Sequence, residues 1–252
     1  MNSAKIHFGT SGWSYKDWVG PFYPEKTKQT EYLSFYARRF NTVEIDSTFY
    51  GIPRPTTVEK WRETTPENFL FSPKVPKDIT HDRKLLESSD VWDEFIRTMQ
   101  ILGPKLGPVV LQFEYSFKFE KHFEQLKDFI QNNKYPLRLC VEVRDQNWIN
   151  PSFFDFLRSQ NIALVLNDLY YMPRMTEITA DFTYIRFLGN RKLVPDGFTH
   201  RRIDRAKELD WWQDWIQKFM TKEIEVFVYS NNRYEGFAPG TIGDLKQRLG
   251  SV

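Results

Sequence analysis

Apolar residues recur along the chain in two alternating patterns. Short runs that are continuously apolar or alternate with polar residues predict strands at residues 5–9, 42–46, 69–74, 108–113, 138–144, 162–168, 182–189 and 224–230. Longer segments with helical spacing predict helices near residues 31–40, 56–63, 90–102, 118–132, 151–159, 205–222 and 241–249. The connection at residues 169–181 has neither period, so we expect it to be irregular.

Strands that alternate with helices imply parallel strands joined by right-handed crossovers. Eight such units in 252 residues match the size of a (β/α)8 TIM barrel. The main rival is an open doubly wound sheet, which usually begins with a glycine-rich turn leading straight into a helix. Here Gly9-Thr-Ser-Gly-Trp13 opens a loop of about twenty residues instead. We therefore expect one α/β domain over residues 1–252, a (β/α)8 TIM barrel with a long first βα loop.

The composition excludes several classes of protein. With 22 Phe, 12 Tyr, 8 Trp and one Cys, the chain is neither disordered nor a disulfide scaffold. No apolar run approaches the roughly 18 residues of a membrane span, and the start lacks the apolar stretch of a signal peptide, which predicts a cytoplasmic protein. The net charge is +2, so a nucleic-acid role needs a local basic patch.

Polar side chains lie late in several predicted strands. Because side chains alternate along a strand, those opposite the apolar positions point into the lumen of a barrel. This phase places at the carboxyl-terminal mouth Glu44, Asp46, Lys74, Gln112, Glu142, Arg144, Asp168 and Arg186, followed by Asn231 and Asn232. Barrel enzymes carry their chemistry at this end, where convergent charges shift pKa values for acid–base catalysis. The competing interpretation is a structural salt-bridge network.

The loops after the predicted strands carry aromatic and basic residues. The aromatic set includes Trp13, Tyr50, Trp148 and Tyr234, which predicts either a stacking wall for a flat ligand or anchors that hold the loops. Taken one residue at a time, anchoring is the better interpretation. Loops seven and eight add Arg191, Lys192 and Arg233 beside glycines, a pattern typical of phosphate binding in barrels.

The signal for a metal is weaker. The four histidines form no close pair in the sequence, so a multi-zinc cluster is not expected and no cofactor is evident. A single Mg²⁺ or Mn²⁺ is left open, although not favoured, on the carboxylates of Glu44, Asp46, Glu142 and Asp168.

Several of these segments together resemble the YecE-like family (domain of unknown function 72). The segments that carry the resemblance are Gly9-Thr-Ser-Gly-Trp13, Val43-Glu-Ile-Asp-Ser-Thr-Phe-Tyr50, Ile79-Thr-His81, Leu111-Gln-Phe113, Glu142-Val-Arg144, Tyr184-Ile-Arg186 and Asn231-Asn232 with Tyr234. The resemblance implies a TIM barrel whose biochemical function is not established. Many members of the family carry His at the positions of Leu188 and Arg233, and this departure disfavours a histidine–metal mechanism.

The leading hypothesis is an enzyme that performs acid–base chemistry on a small phosphorylated or nucleotide-like ligand. Glu44 and Glu142 are the candidate acid–base pair. The other candidate catalytic residues are Lys74, Arg144, Arg186 and Asp168, and the candidate ligand-binding residues are Ser11, Trp13, Asp46, Thr48, Tyr50, His81, Gln112, Trp148, Arg191, Asn231, Asn232 and Tyr234. Hydrolase chemistry and isomerase or lyase chemistry both remain open.

Three other functions also fit the sequence. A non-catalytic nucleic-acid-binding barrel would use the loop aromatics for stacking and Arg191, Arg201, Arg202 and Arg233 for phosphates. A metal-assisted enzyme similar to endonuclease IV or sugar isomerases is the second, by analogy of fold alone. A protein-interaction scaffold is the third. The expected partner in the leading hypothesis is a small anionic ligand, and the sequence leaves the oligomeric state open.

Overall fold

A computed structural model describes residues 5–250 of the chain. The strands are β1 Ile6–Thr10, β2 Thr42–Ile45, β3 Leu70–Pro73, β4 Val109–Gln112, β5 Leu139–Glu142, β6 Ala163–Leu169, β7 Phe182–Gly189 and β8 Glu225–Ser230. The α-helices are α1 Tyr32–Tyr36, α2 Pro55–Thr64, α3 Ser89–Met99, α4 Phe119–Gln131, α5 Pro151–Ser159, α6 Ala206–Thr221 and α7 Ala238–Arg248. Every strand and helix expected from the periodicity is therefore present, and residues 169–181 form no helix.

Element ends differ from the expectation where local chemistry decides them. The α3 helix ends at Met99, and the chain continues to Lys105 as tighter turns broken at Gly103, whose φ is +58°, and at Pro104. The α7 helix begins earlier than expected, because Pro239 in its first turn fits a helix start, where its missing N–H costs nothing. A wide, π-type turn at Asp78–Asp82 follows β3 and was not expected from the sequence.

The strands that pair in register run parallel, as β7 does with β8 and β4 with β5. Six strands form one sheet in the order β1-β8-β7-β6-β5-β4, and β2 pairs with β3. The protein is therefore an α/β fold built on a parallel sheet of six strands. Closure of all eight strands into a barrel stays a prediction. Among the described residues, no helix is both long and apolar enough to cross a membrane.

The described chain divides into two compact units. Unit 1 contains residues 5–44, 166–176 and 181–250, and unit 2 contains residues 45–165 and 177–180. In unit 1 the α6 helix buries Leu209, Trp212, Ile216 and Phe219, which lie three or four residues apart and so share one helix face. In unit 2 every residue of β5 is buried, as expected for a parallel strand covered on both faces. The single-domain expectation over residues 1–252 includes residues 1–4 and 251–252, which lie outside the described residues, and it stays a prediction.

The long first βα loop of unit 1 is packed around its own aromatic residues. Trp18 and Tyr23 are fully buried, and the Tyr23 ring stacks on Tyr32 with 4.3 Å between centroids. The Tyr23 hydroxyl donates to the carbonyl oxygen of Trp13 at 2.5 Å. These rings therefore anchor the loop, in agreement with the more conservative of the two interpretations of the loop aromatics.

Candidate functional site

The carboxyl ends of β3, β4 and β5 bring polar side chains together in unit 2. Lys74, directly after β3, bridges to Val110 of β4, and Gln112 is the register partner of Glu142 in β5. Because partners on parallel strands point to the same face, and Gln112 lies two residues beyond Val110, all three polar side chains share one face. We call Asp46, Lys74, His81, Gln112, Glu142 and Arg144 the strand-end cluster.

Ion pairs organise the charges of the strand-end cluster. The Nζ of Lys74 lies 3.5 Å from Oδ1 of Asp46 and 4.3 Å from the centroid of the Phe49 ring, so the ammonium has a carboxylate and an aromatic face as neighbours. The Arg144 guanidinium contacts the Glu142 carboxylate, and Glu142 itself is fully buried. Glu142 therefore orients the more exposed guanidinium of Arg144.

His81 lies on the wide turn after β3. Its Nδ1 is 2.8 Å from the hydroxyl of Thr80, its Nε2 is 3.5 Å from Nε2 of Gln112, and its ring meets the Phe49 ring nearly edge-on. Burial lowers the pKa of His81, and the positive charges of Lys74 and Arg144 add to this, while Glu114 and Asp82 oppose it. The imidazole is consequently neutral near pH 7 and able to accept a proton. Turns of this wide type often occur at functional sites.

Thr48, expected to bind ligand, instead braces the backbone of unit 2. Its hydroxyl donates to the carbonyl oxygens of Ile45 at 2.8 Å and Lys74 at 2.7 Å, and it accepts from the Lys74 N–H at 3.1 Å. Thr48 is almost fully buried. Thr48 therefore holds the backbone of Lys74 in place and does not face solvent.

Unit 1 contains a second polar group, centred on the ion pair of Glu44 and Arg186. The Nη2 of Arg186 lies 2.6 Å from Oε1 of Glu44, and the Tyr184 hydroxyl donates to Oε2 at 2.8 Å. All three side chains are almost completely buried. Glu44 was expected to act in catalysis, but the carboxylate is held on both oxygens, which favours a structural salt bridge for this pair.

The ends of β1 and β8 in unit 1 carry buried groups with spare hydrogen-bonding capacity. Ser11 is buried, and its hydroxyl has no partner among the described residues. The Oδ1 of Asn232 accepts from Nε1 of Trp18 at 3.2 Å and from the N–H of Ala238 at 3.0 Å, but its Nδ2 has no such partner. Asn231 is different, because its Oδ1 accepts from the N–H of Arg233 at 3.0 Å and closes the turn.

Asp168, at the end of β6 in unit 1, is surrounded by hydrogen-bond donors. Its Oδ2 accepts from Nε1 of Trp212 at 2.9 Å and from the hydroxyl of Tyr234 at 3.0 Å. Arg174 adds its Nε at 3.1 Å from the same oxygen. Burial and the neighbouring Asp168 raise the pKa of the Tyr234 phenol, which therefore stays protonated and donating.

Two aromatic residues expected to contact a ligand are fully buried. The Nε1 of Trp148 donates to the carbonyl oxygen of Phe117 at 2.7 Å, and the two rings stack. Tyr234 stacks on Phe187. Neither offers an exposed ring face, so in this conformation both anchor loops. Trp13 is half-buried, and Tyr50 is 77% exposed.

The basic residues of loops seven and eight are largely engaged in protein contacts. The Nη1 of Arg233 donates to the carbonyl oxygens of Val194 and Pro195, both at 2.7 Å, and burial lowers its pKa. Arg201 pairs with Asp244 at 2.5 Å. Arg191 is exposed. Phosphate binding at these loops stays a prediction, and the contacts leave Arg233 and Arg201 less free to serve it.

The carboxylates proposed as metal ligands have the partners already described. Among residues 5–250, no group of three or more His, Cys, Asp or Glu side chains is placed to hold a metal ion. Sequence reasoning missed Tyr184 as a partner of Glu44. The signal for Tyr184 was available, because it lies two residues before Arg186 and so shares its strand face.

Comparison with known proteins shows the family to which this chain belongs. A family model described as "Protein of unknown function DUF72" matches residues 7–252. The chain belongs to the DUF72 family. The resemblance deduced from its motifs is thereby confirmed, and the family description leaves the activity open.

Individual relatives match over 59% to 98% of the chain. The chain is 27% identical to the UPF0759 protein YunF of Bacillus subtilis over 258 aligned positions, covering 92% of this chain and 90% of YunF. It is 34% identical to the UPF0759 protein YecE of Escherichia coli K12 over 149 positions, covering 59% of this chain and 50% of YecE. The crystal structure of a DUF72 family protein from Thermotoga maritima superposes with a TM-score of 0.84 at 28% identity, covering 98% of this chain and 99% of that one.

Proposed function

We propose that this DUF72 protein is an enzyme that moves a proton on a small phosphorylated ligand bound at the strand-end cluster of unit 2. The observation that carries the proposal is the half-buried imidazole of His81, kept neutral by burial and by Lys74 and Arg144. A neutral base beside two cations suits a substrate that brings its own negative charge.

Each member of the strand-end cluster has a role in this proposal. Lys74 and Arg144 hold the phosphate through charge-assisted hydrogen bonds. The Gln112 amide lies beside His81 and orients the group that gives up its proton. The bound anion raises the pKa of His81 towards neutrality, where an imidazole works best as a general base.

Glu142 is a positioning residue in this scheme. It is fully buried and paired with Arg144, so it aims the guanidinium at the ligand. His81 thereby takes the acid–base role that the sequence alone assigned to Glu44 and Glu142.

The proposal includes the closed (β/α)8 barrel expected from the sequence. Isolated parallel bridges support it, with Ser11 paired to Glu44 beyond the end of β1 and Lys74 paired to Val110 beyond the end of β3. In barrels of this kind the carboxyl ends of the strands form the reactive face, which is where the strand-end cluster lies.

Calorimetric titration with inorganic phosphate, glycerol 3-phosphate and AMP tests the binding step. The Lys74→Met substitution should weaken binding by about 10- to 100-fold, the value of one charge-assisted hydrogen bond. Lys77→Met is the matched control, because Lys77 belongs to the same unit and forms an exposed ion pair with Asp82 at 3.2 Å. Equal affinities of the two variants, or no binding by wild type, would contradict the proposal.

The His81→Gln substitution tests the chemical step. With any phosphorylated compound that wild type converts, His81→Gln should retain binding to within about threefold and lose turnover by about 10²- to 10⁴-fold. Full turnover in this variant would assign the proton transfer to another group. If only single-stranded oligonucleotides bind, with a steep salt dependence, the nucleic-acid-binding alternative replaces the enzyme.

A further inference from the structure

A cavity lies within unit 1, at the ends of β6 and β7 and the start of α6. It has a volume of about 560 Å³, within the range of small-molecule sites. The residues that line it are Asp168, Leu169, Tyr170, Met172, Arg174, Gly189, Arg205 and Trp211. None of them belongs to the strand-end cluster, so this cavity is separate from the function proposed above.

The charges around this cavity balance. Arg174 contacts Asp168 at 3.1 Å and Glu208 at 3.6 Å, and Arg205 contacts Glu208 at 3.1 Å. Two guanidinium groups are thus matched by two carboxylates, and the group has no formal net charge. Because this balance needs no further counter-charge, an uncharged ligand fits the site.

Both a donor, on Arg205, and an acceptor, on Asp168, have hydrogen-bonding capacity that these ion pairs do not use. Among the described residues the Arg205 side chain donates only through Nη1, to Glu208, and it is 19% exposed. The three donors to Asp168 all contact Oδ2, which leaves Oδ1 as an acceptor for a ligand. Buried polar groups normally find partners, and a hydroxyl both donates and accepts, so a pair of hydroxyls satisfies Asp168 and Arg205 together.

Aromatic surface completes the site. Tyr170 is 62% exposed although it lines the cavity, and Trp211 is a further lining residue. Aromatic rings of this kind offer a flat apolar face next to polar groups. We propose that this cavity binds a neutral polyhydroxylated ligand of monosaccharide size, with one face of the sugar ring on Tyr170 or Trp211 and its hydroxyls on Asp168 and Arg205.

Saturation-transfer NMR with glucose, galactose, mannose and xylose tests this site, with inorganic phosphate as the anionic comparison. At least one of the four sugars should give a saturable signal that inorganic phosphate does not compete away. The Arg205→Met substitution should weaken that binding by about tenfold, the expected effect of removing donors to a ligand hydroxyl. Thermal unfolding of the same sample checks that the variant remains folded.

Tyr170→Ala gives a second variant that cannot fail by unfolding the core, because Tyr170 is largely exposed. It should weaken sugar binding by about three- to tenfold. Tyr115→Ala is its matched control, since Tyr115 is 64% exposed and does not line the cavity. The inference is overturned if no sugar gives a saturable signal, if inorganic phosphate displaces the bound sugar, or if Tyr170→Ala and Arg205→Met both bind like Tyr115→Ala.

Discussion

Replacing Arg186 with Met tests whether the buried ion pair of unit 1 holds the fold together. The Arg186 and Glu44 side chains are 3% and 0% exposed, and Nη2 lies 2.6 Å from Oε1. Removing one member leaves the other as an uncompensated buried charge, which costs about 3–5 kcal/mol. A typical domain has about 5–15 kcal/mol of stability, so Arg186→Met should remain folded in water but unfold at markedly lower urea concentration.

The double variant Glu44→Gln with Arg186→Met separates pairing from general damage. Because it removes both charges, it should be more stable than the sum of the two single losses implies, by about 1–3 kcal/mol. Arg158→Met is the control, since Arg158 pairs at the surface with Asp155 and should lose less than about 1 kcal/mol. Urea unfolding followed by circular dichroism measures wild type, the two single variants Glu44→Gln and Arg186→Met, the double variant, and Arg158→Met. Additive single losses, or an Arg186→Met loss no larger than that of Arg158→Met, would refute the structural assignment of Glu44.

Two further predictions concern unit 1. Gly189 has a φ of +68°, and a Cβ there would lie 2.1 Å from the carbonyl oxygen of Arg233. Gly189→Ala should therefore lower the free energy of unfolding by about 1–3 kcal/mol or more. Gly243→Ala, in open space on α7, should instead raise it by about 0.5–1 kcal/mol. Burial raises the pKa of Glu235 in spite of the nearby Thr241 hydroxyl and Arg201 guanidinium, which oppose the shift. The folded state therefore binds this proton more tightly than the unfolded state, and the stability of wild type relative to Glu235→Gln should fall as pH rises from about 4 to 7 in thermal unfolding, while a rise would contradict the assignment.

The parallel sheet was predictable because each strand carries its own short-period signal. The run at 182–189 is apolar over most of its length between polar segments, and it forms β7 with the expected ends. Helix ends were less predictable. The apolar pattern continues to residue 102, but α3 ends at Met99 and the chain continues as tighter turns broken at Gly103 and Pro104. The wide turn that carries His81 has no periodic signature at all.

The sequence predicted which polar residues share a strand face but not which of them pair. Strand phase correctly placed Lys74, Gln112 and Glu142 on one face, because alternation is a local property of each strand. Which charges pair depends on neighbours far apart in sequence, as with Glu44 and Arg186. Burial is likewise a property of the packed chain, so the sequence favoured anchoring for each loop aromatic but still left Trp148 among the candidate ligand contacts.

A pH titration of the His81 ring protons by NMR tests the central claim most directly. In the free protein the midpoint should lie below the ordinary value of about 6.5, because burial and then the cations Lys74 and Arg144 oppose protonation. It should move upward in Lys74→Met, and also when glycerol 3-phosphate binds to wild type. A midpoint at or above about 6.5 that neither change moves would contradict an acid–base site at the strand-end cluster.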